Sequence, residues 1–150
     1  MENEIDLATT WFDQGFSCAQ SIVTAFGVQF GLDTQQALRV AGAFGGGMAR
    51  MGETCGAVTG ALMVIGLLYG KTRPEDEAAK EKTYRVVHQF VDRFKAQNGS
   101  ILCRELLGCD LSTPEGSQKA RESHLFKALC PVYVRNSAEI LRKLIEEGRA

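Results

Sequence analysis

The stretch 45–70, GGGMARMGETCGAVTGALMVIGLLYG, limits what this chain can fold into more than any other. A glycine-rich turn feeds an apolar run far longer than an ordinary strand, with Cys55 at the junction. Ala57, Ala61, Leu62, Met63, Leu67 and Leu68 are good helix formers, so length and composition both favour a helix over a buried strand. Thr54 is expected to cap it, with Cys55 in the first turn, and Gly70 to end it ahead of Pro74. Gly56 and Gly60 stand four residues apart beside Ala57 and Ala61, which leaves one face nearly bare of side chains and open to close packing. A membrane span needs roughly 20 predominantly apolar residues. This run is shorter and is bounded by Arg50, Glu53, Lys71 and Arg73, so it reads as the central helix of a globular protein and no membrane span is expected.

Helical punctuation recurs through the rest of the chain, and no segment alternates apolar and polar residues as a strand does. Ile5, Leu7, Ala8, Trp11 and Phe12 form an amphipathic stripe that stops at Gly15. Ser17 reads as the cap of a helix carrying Cys18, Ile22, Val23 and Phe26, and Asp33 or Thr34 as the cap of a third. Pro74 is expected at the first position of a long helix reaching Gln97, with Tyr84, Val87, Val91 and Phe94 on its core or subunit-contact face. Ser100 is expected to cap ILCRELLG, the residues from Cys109 to Ser117 to form a surface excursion, and Pro131 to open the last helix. The expected architecture is all-α: one domain over 1–150, a compact bundle of about six or seven helices around the glycine-rich one.

With 17 basic and 18 acidic residues the chain carries no charge excess that would attract nucleic acid. Its first residues, MENEIDLATTWFDQGF, lack the basic and apolar regions of a signal peptide, so the expected compartment is cytoplasmic. Permanent disulfides are disfavoured there, which leaves metal ligation, redox chemistry or plain burial for the five cysteines. No CxxC occurs, so neither a zinc ribbon nor a thioredoxin motif is present. Cys18, Cys55, Cys103 and Cys130 all fall at expected helix N-termini, where free N–H groups and the positive dipole end favour a thiolate. Cys109 lies past a helix end. His88 and His124 sit among charged neighbours and read as solvated residues rather than ligands. Glu53 reads as a helix-dipole partner. Arg50 and Arg104 are each near a candidate thiol, and a surface arginine or helix-end ion pair is weighed for both against a role in lowering a thiol pKa.

The segments FSCAQSIVTAFG, GGGMARMGETCGAVTGALMVIGLLYG, SILCRELLG and CPVYVRNSAEILRKLI, in this order, resemble the C_GCAxxG_C_C family of redox-active proteins. The resemblance implies that Cys18, Cys55, Cys103 and Cys130 are the four family cysteines and that Gly56, Ala57 and Gly60 belong to the central motif; Cys109 has no counterpart. It also extends to part of the split-Soret cytochromes and so implies an electron-transfer setting. The chain has no CxxCH, however, and covalent c-type haem is not expected.

If the four cysteines converge, two chemistries fit. As metal ligands they would hold an iron–sulfur cluster or zinc, with Gly56 and Gly60 as cofactor-binding positions. As dithiols, with Cys55 and Cys18 the catalytic pair, they would cycle with disulfides and serve a redox partner; the pairing stays open. The competing reading is a small helical interaction or structural protein with buried inert cysteines, whose amphipathic helices serve a partner or a homodimer.

Overall fold

Capping residues in the sequence are answered by helices almost throughout. The computed structural model describes residues 3–149, the side chain of Arg149 excepted. In chain order it contains α1 (Glu4–Asp13), α2 (Cys18–Gly27), a 3-10 turn (Val28–Phe30), α3 (Thr34–Val40), α4 (Gly56–Tyr69), α5 (Glu77–Asn98), α6 (Cys103–Leu107), α7 (Pro114–Glu122), α8 (Leu125–Ala128) and α9 (Cys130–Arg149). The protein is all-α, as its sequence leads one to expect. Among the described residues the one pairing of extended backbone is an isolated antiparallel bridge between Thr54 and Leu102.

Several boundaries follow directly from side-chain capping. Ser17 accepts the Gln20 N–H while the Gln20 side chain accepts the Ser17 N–H, a capping box that starts α2 at Cys18. Asp33 accepts the N–H groups of Gln35 and Gln36 to start α3.

Other boundaries differ from expectation. Thr54 does not cap α4; it is drawn into the bridge with Leu102, and Cys55 itself becomes the N-cap. Pro74 lies in the turn before α5, whose cap is Asp76, accepting the Ala79 N–H. Ser100 accepts the Leu102 N–H, so it shapes the approach to α6 and Leu102 is the N-cap. The segment from Cys109 to Ser117 is no surface excursion: Cys109 and Leu111 are buried, and Thr113 caps α7 with Pro114 in its first turn.

The core is built on α4. Its Val58, Ala61, Val64 and Ile65 are buried against Ile22 and Phe26 of α2, Phe90 and Phe94 of α5, and Val134, Ala138 and Leu141 of α9. Tyr84, expected on the core or subunit-contact face of α5, is 54% exposed and lies beneath the Lys80 ammonium, so it is not part of the core. The closest approach is between α4 and α2. A Cβ at Gly60 would come within 3.0 Å of the Ala19 carbonyl oxygen and of Ile22, and one at Gly56 within 2.8 Å of the Ala19 nitrogen. Even an alanine at these positions would overpack the contact. From the opposite side the buried Ser137 hydroxyl donates to the Ala57 carbonyl at 2.7 Å, tying α9 to the first turn of α4. No helix among the described residues is long and apolar enough to cross a membrane.

Candidate functional site

The first turn of α4 is fixed by a short ladder that helix periodicity does not reveal. Around the Thr54–Leu102 bridge, the Cys55 N–H donates to the Ile101 carbonyl at 2.7 Å, the Cys103 N–H to Glu53 at 2.6 Å, and the Arg104 N–H to Gly52 at 3.2 Å. Residues 52–55 and 101–104 therefore run side by side, and the starts of α4 and α6 emerge together. The close contact at Gly56 adds the start of α2, because a Cβ there would lie 3.2 Å from the Cys18 Cβ. The start of α9 completes the arrangement, with the Tyr133 hydroxyl donating to the Leu106 carbonyl at 2.8 Å.

The glycine-rich turn closes the site from outside by an uncommon backbone route. Gly46, Gly47, Met48, Ala49 and Arg50 all have left-handed φ, from 52° to 69°. For the three residues with side chains this costs roughly 1–2 kcal/mol each, and such strain persists only where the surroundings enforce it. Here the N–H groups of Arg50, Gly52 and Glu53 donate back to Gly45, Gly46 and Gly47. Gly47 is required twice over: its φ is +68°, and a Cβ would lie 2.6 Å from the Cys103 Cβ.

Cys18, Cys55, Cys103 and Cys130 all line one cleft of about 650 Å³, together with Gly45–Gly47, Arg50, Gly56, Leu106, Leu107, Phe126 and Tyr133. Gly56 faces this cleft as well as α2, whereas Gly60, expected at a cofactor, faces Ala19 and Ile22 of α2 and is a packing position. His88 and His124 are exposed and do not line the cleft. Arg104 and Glu53 form an ion pair at 3.2 Å, both about half exposed, which is worth little by itself.

Within the cleft the thiols are not equivalent. Interaction with the side chains of Cys130 and Cys55, then burial and repulsion from the same two sulfurs, pushes the pKa of Cys18 well above the ordinary thiol value. At Cys55 the interaction with Cys18 acts in the opposite sense and lowers the pKa, helped by the amides of Ala57 and Val58 and opposed by burial. The Cys55 side chain closes no cap hydrogen bond, so those amides act as oriented dipoles at a helix N-terminus. Cys103 is pushed up to about 12, first by burial and then by repulsion from Cys55, Cys130, Cys109 and Asp110. The expectation that each helix start favours a thiolate is thus corrected at Cys18 and Cys103, where neighbouring sulfurs and burial outweigh the helix end.

Sequence reasoning set Cys109 aside, yet the structure buries it in a second apolar cluster with Cys103, Leu107, Leu111 and Ala120. The signal was present in GC. Gly108 ends α6 in the left-handed conformation, and the residue after such a glycine characteristically folds back onto the helix.

The model of the family described as "Putative redox-active protein (C_GCAxxG_C_C)" matches residues 16–144. The chain belongs to this family. The match carries a redox role and contains all four cleft cysteines, as well as Cys109. No curated protein and no solved structure matches the chain. Among the described residues of this family member, no group of three or more His, Cys, Asp or Glu side chains is arranged to hold a metal ion.

Proposed function

We propose that this protein exchanges electrons through a dithiol and disulfide formed by Cys55 and Cys18. The observation that carries the reading is that the two cysteines meet in one cleft, where a Cβ on Gly56 would lie 3.2 Å from the Cys18 Cβ; their pKa values move in opposite directions, up at Cys18 and down at Cys55. A thiolate at the mouth of a helix beside a protonated thiol is the arrangement that disulfide exchange needs.

The Cys55 thiolate attacks one sulfur of a substrate disulfide, forming a mixed disulfide and expelling the other half as a thiolate. Cys18 then gives up its proton to a departing thiolate and attacks the Cys55 sulfur. This forms the Cys18–Cys55 disulfide and releases the second half. The substrate disulfide gains two electrons and the protein dithiol loses two. Cys130, beside Cys18 in the cleft, favours the protonated form of that thiol. Cys103 stays protonated in the wall of the cleft.

Alkylation of the reduced protein at pH 7, read residue by residue by peptide mass spectrometry, tests the reading. Cys55 titrates below the ordinary 9.0 and Cys103 near 12. At least about three pH units then separate them, or roughly a thousandfold in thiolate fraction. The greater intrinsic nucleophilicity of the more basic thiolate reduces this to about 30-fold in rate. Treatment with 2-hydroxyethyl disulfide is expected to yield a peptide linked through Cys18 and Cys55. Cys103 reacting as fast as Cys55, or no such linked peptide, would overturn the proposal.

A further inference from the structure

The walls of the cysteine cleft are apolar or neutral except at one place. Among the described residues that line it, Arg50 is the sole charged one. Its side chain is exposed and joins no ion pair among the described residues. Nor is it among the groups that move the pKa of Cys55, so its charge is not spent on activating the thiol.

The backbone nevertheless goes to unusual lengths to put this cation where it is. Arg50 has φ +64° and ends the left-handed run that begins at Gly46. Its N–H donates to the Gly45 carbonyl at 3.0 Å, and its stem lies against Gly46, where a Cβ would meet the Arg50 Cα and Cγ at 3.0 Å. A conformation that side chains rarely adopt, held by specific contacts beside a reactive group, is a mark of a functional constraint. A cleft of about 650 Å³ is the size of a small-molecule site.

We infer that the disulfide taken by this site is a small organic one bearing a carboxylate, which Arg50 binds while Leu106, Leu107 and Phe126 cover its carbon chain. The inference rests on the Cys55–Cys18 reading and adds the charge of the substrate to it. A guanidinium suits this task because its fork of donors matches a carboxylate and never loses its charge. The ion pair forms at the cleft mouth while the substrate sulfur meets Cys55, in the exchange already described.

The test compares second-order rates of Cys55 with three disulfides of different charge: dianionic 3,3′-dithiodipropionate, neutral 2-hydroxyethyl disulfide and dicationic cystamine. The ratio of the dianion's rate to the neutral one's should fall about 3- to 10-fold in Arg50→Glu, and less in Arg50→Gln. Arg50→Lys should restore most of it, and the ratio for cystamine should move the other way. A dianion-to-neutral ratio unchanged in Arg50→Glu overturns the assignment of substrate charge and leaves the dithiol reading standing. Failure of the wild-type protein to react with any of the three overturns the dithiol reading, and the inference with it.

Discussion

Cys55 and Cys103 begin neighbouring helices, lie one residue beyond the two partners of the same backbone bridge and line the same cleft, yet their chemistry is opposite. Cys55 is lowered and Cys103 is raised to about 12. Each sits at a helix N-terminus, so that position by itself does not separate them. The difference lies in what surrounds each sulfur. Cys55 caps a helix of 14 residues, and Cys18 and the amides of Ala57 and Val58 favour its thiolate. Cys103 opens one of 5 residues, is packed against Cys109, Leu107 and Leu111, and finds only repulsion from the sulfurs and the carboxylate nearby. The lesson is that a helix start supplies a modest field, and that burial and one hydrogen-bond donor decide whether it is enough.

The largest way to break this contrast is to open the wall that encloses Cys103. Gly47→Ala must place an L side chain at φ +68° and a methyl 2.6 Å from the Cys103 Cβ and 2.7 Å from the Glu53 nitrogen. The combined cost of left-handed strain and overpacking is about 3 kcal/mol, measurable as a loss of stability in urea denaturation. The displaced Cys103 should also label faster with an alkylating agent. By contrast, Gly15→Ala, at φ +108° with nothing within 4 Å of the new Cβ, should lose only about 1 kcal/mol. Equal losses for the two would show that the turn does not pack on Cys103 at all.

The same two cysteines show what the sequence could convey. Local rules found the helices well: Ser17, Asp33 and Gly70 cap or end their elements as their chemistry requires. The all-α class and the apolar nature of α4 were equally plain, since a run of that length admits few alternatives. The site was legible only in outline. That cysteines begin helices is a local property, and it was read correctly for Cys18, Cys103 and Cys130, with Cys55 one position earlier than expected, at the N-cap. The bridge that joins residue 54 to residue 102 is not local; its two halves share no pattern a sequence reader could pair, and it is what moves the cap from Thr54 to Cys55. The direction of each pKa depends on which sulfurs meet, so it was hidden for the same reason. Left-handed backbone at Met48, Ala49 and Arg50 contradicts their intrinsic preference, and tertiary contacts impose it.

A second prediction sharpens the contrast by removing the donor that sets Cys55 apart. In Cys18→Ala the thiolate loses its largest stabilising interaction while the amides of Ala57 and Val58 remain. The midpoint of the pH–rate profile for Cys55 alkylation should move upward, and the rate at pH 7 should fall about 3- to 10-fold, the loss of one interaction with a charged group offset in part by the greater nucleophilicity of the more basic thiolate. Cys18→Ser keeps a hydroxyl donor and should retain part of the effect. A profile unmoved in the alanine variant would return the credit to the helix end and erase the distinction from Cys103.

The smallest expected effect tests the other side of the comparison through stability. Cys103 has a folded-state pKa of about 12, above the value near 8.5 of an unfolded thiol. Below about pH 8.5 both states keep the proton, and the contribution of this thiol to stability is fully present. As pH rises further the unfolded chain releases its proton while the fold retains it, so stability falls until the pH passes the folded value. Cys18, also raised, acts in the same direction. Cys55 acts in the opposite one, because a lowered pKa contributes stability above the ordinary value that is lost as pH falls through the folded value. The urea midpoint of the wild-type protein should therefore drop between pH 8 and pH 10.5 more steeply than that of Cys103→Ala. Discounted for partial solvent screening, the difference is on the order of 0.5–1 kcal/mol. Lysines and tyrosines titrate alike in both proteins and cancel in the difference. Parallel declines would mean that Cys103 ionises as freely in the fold as in the unfolded chain, and then the contrast with Cys55 would rest on Cys55 alone.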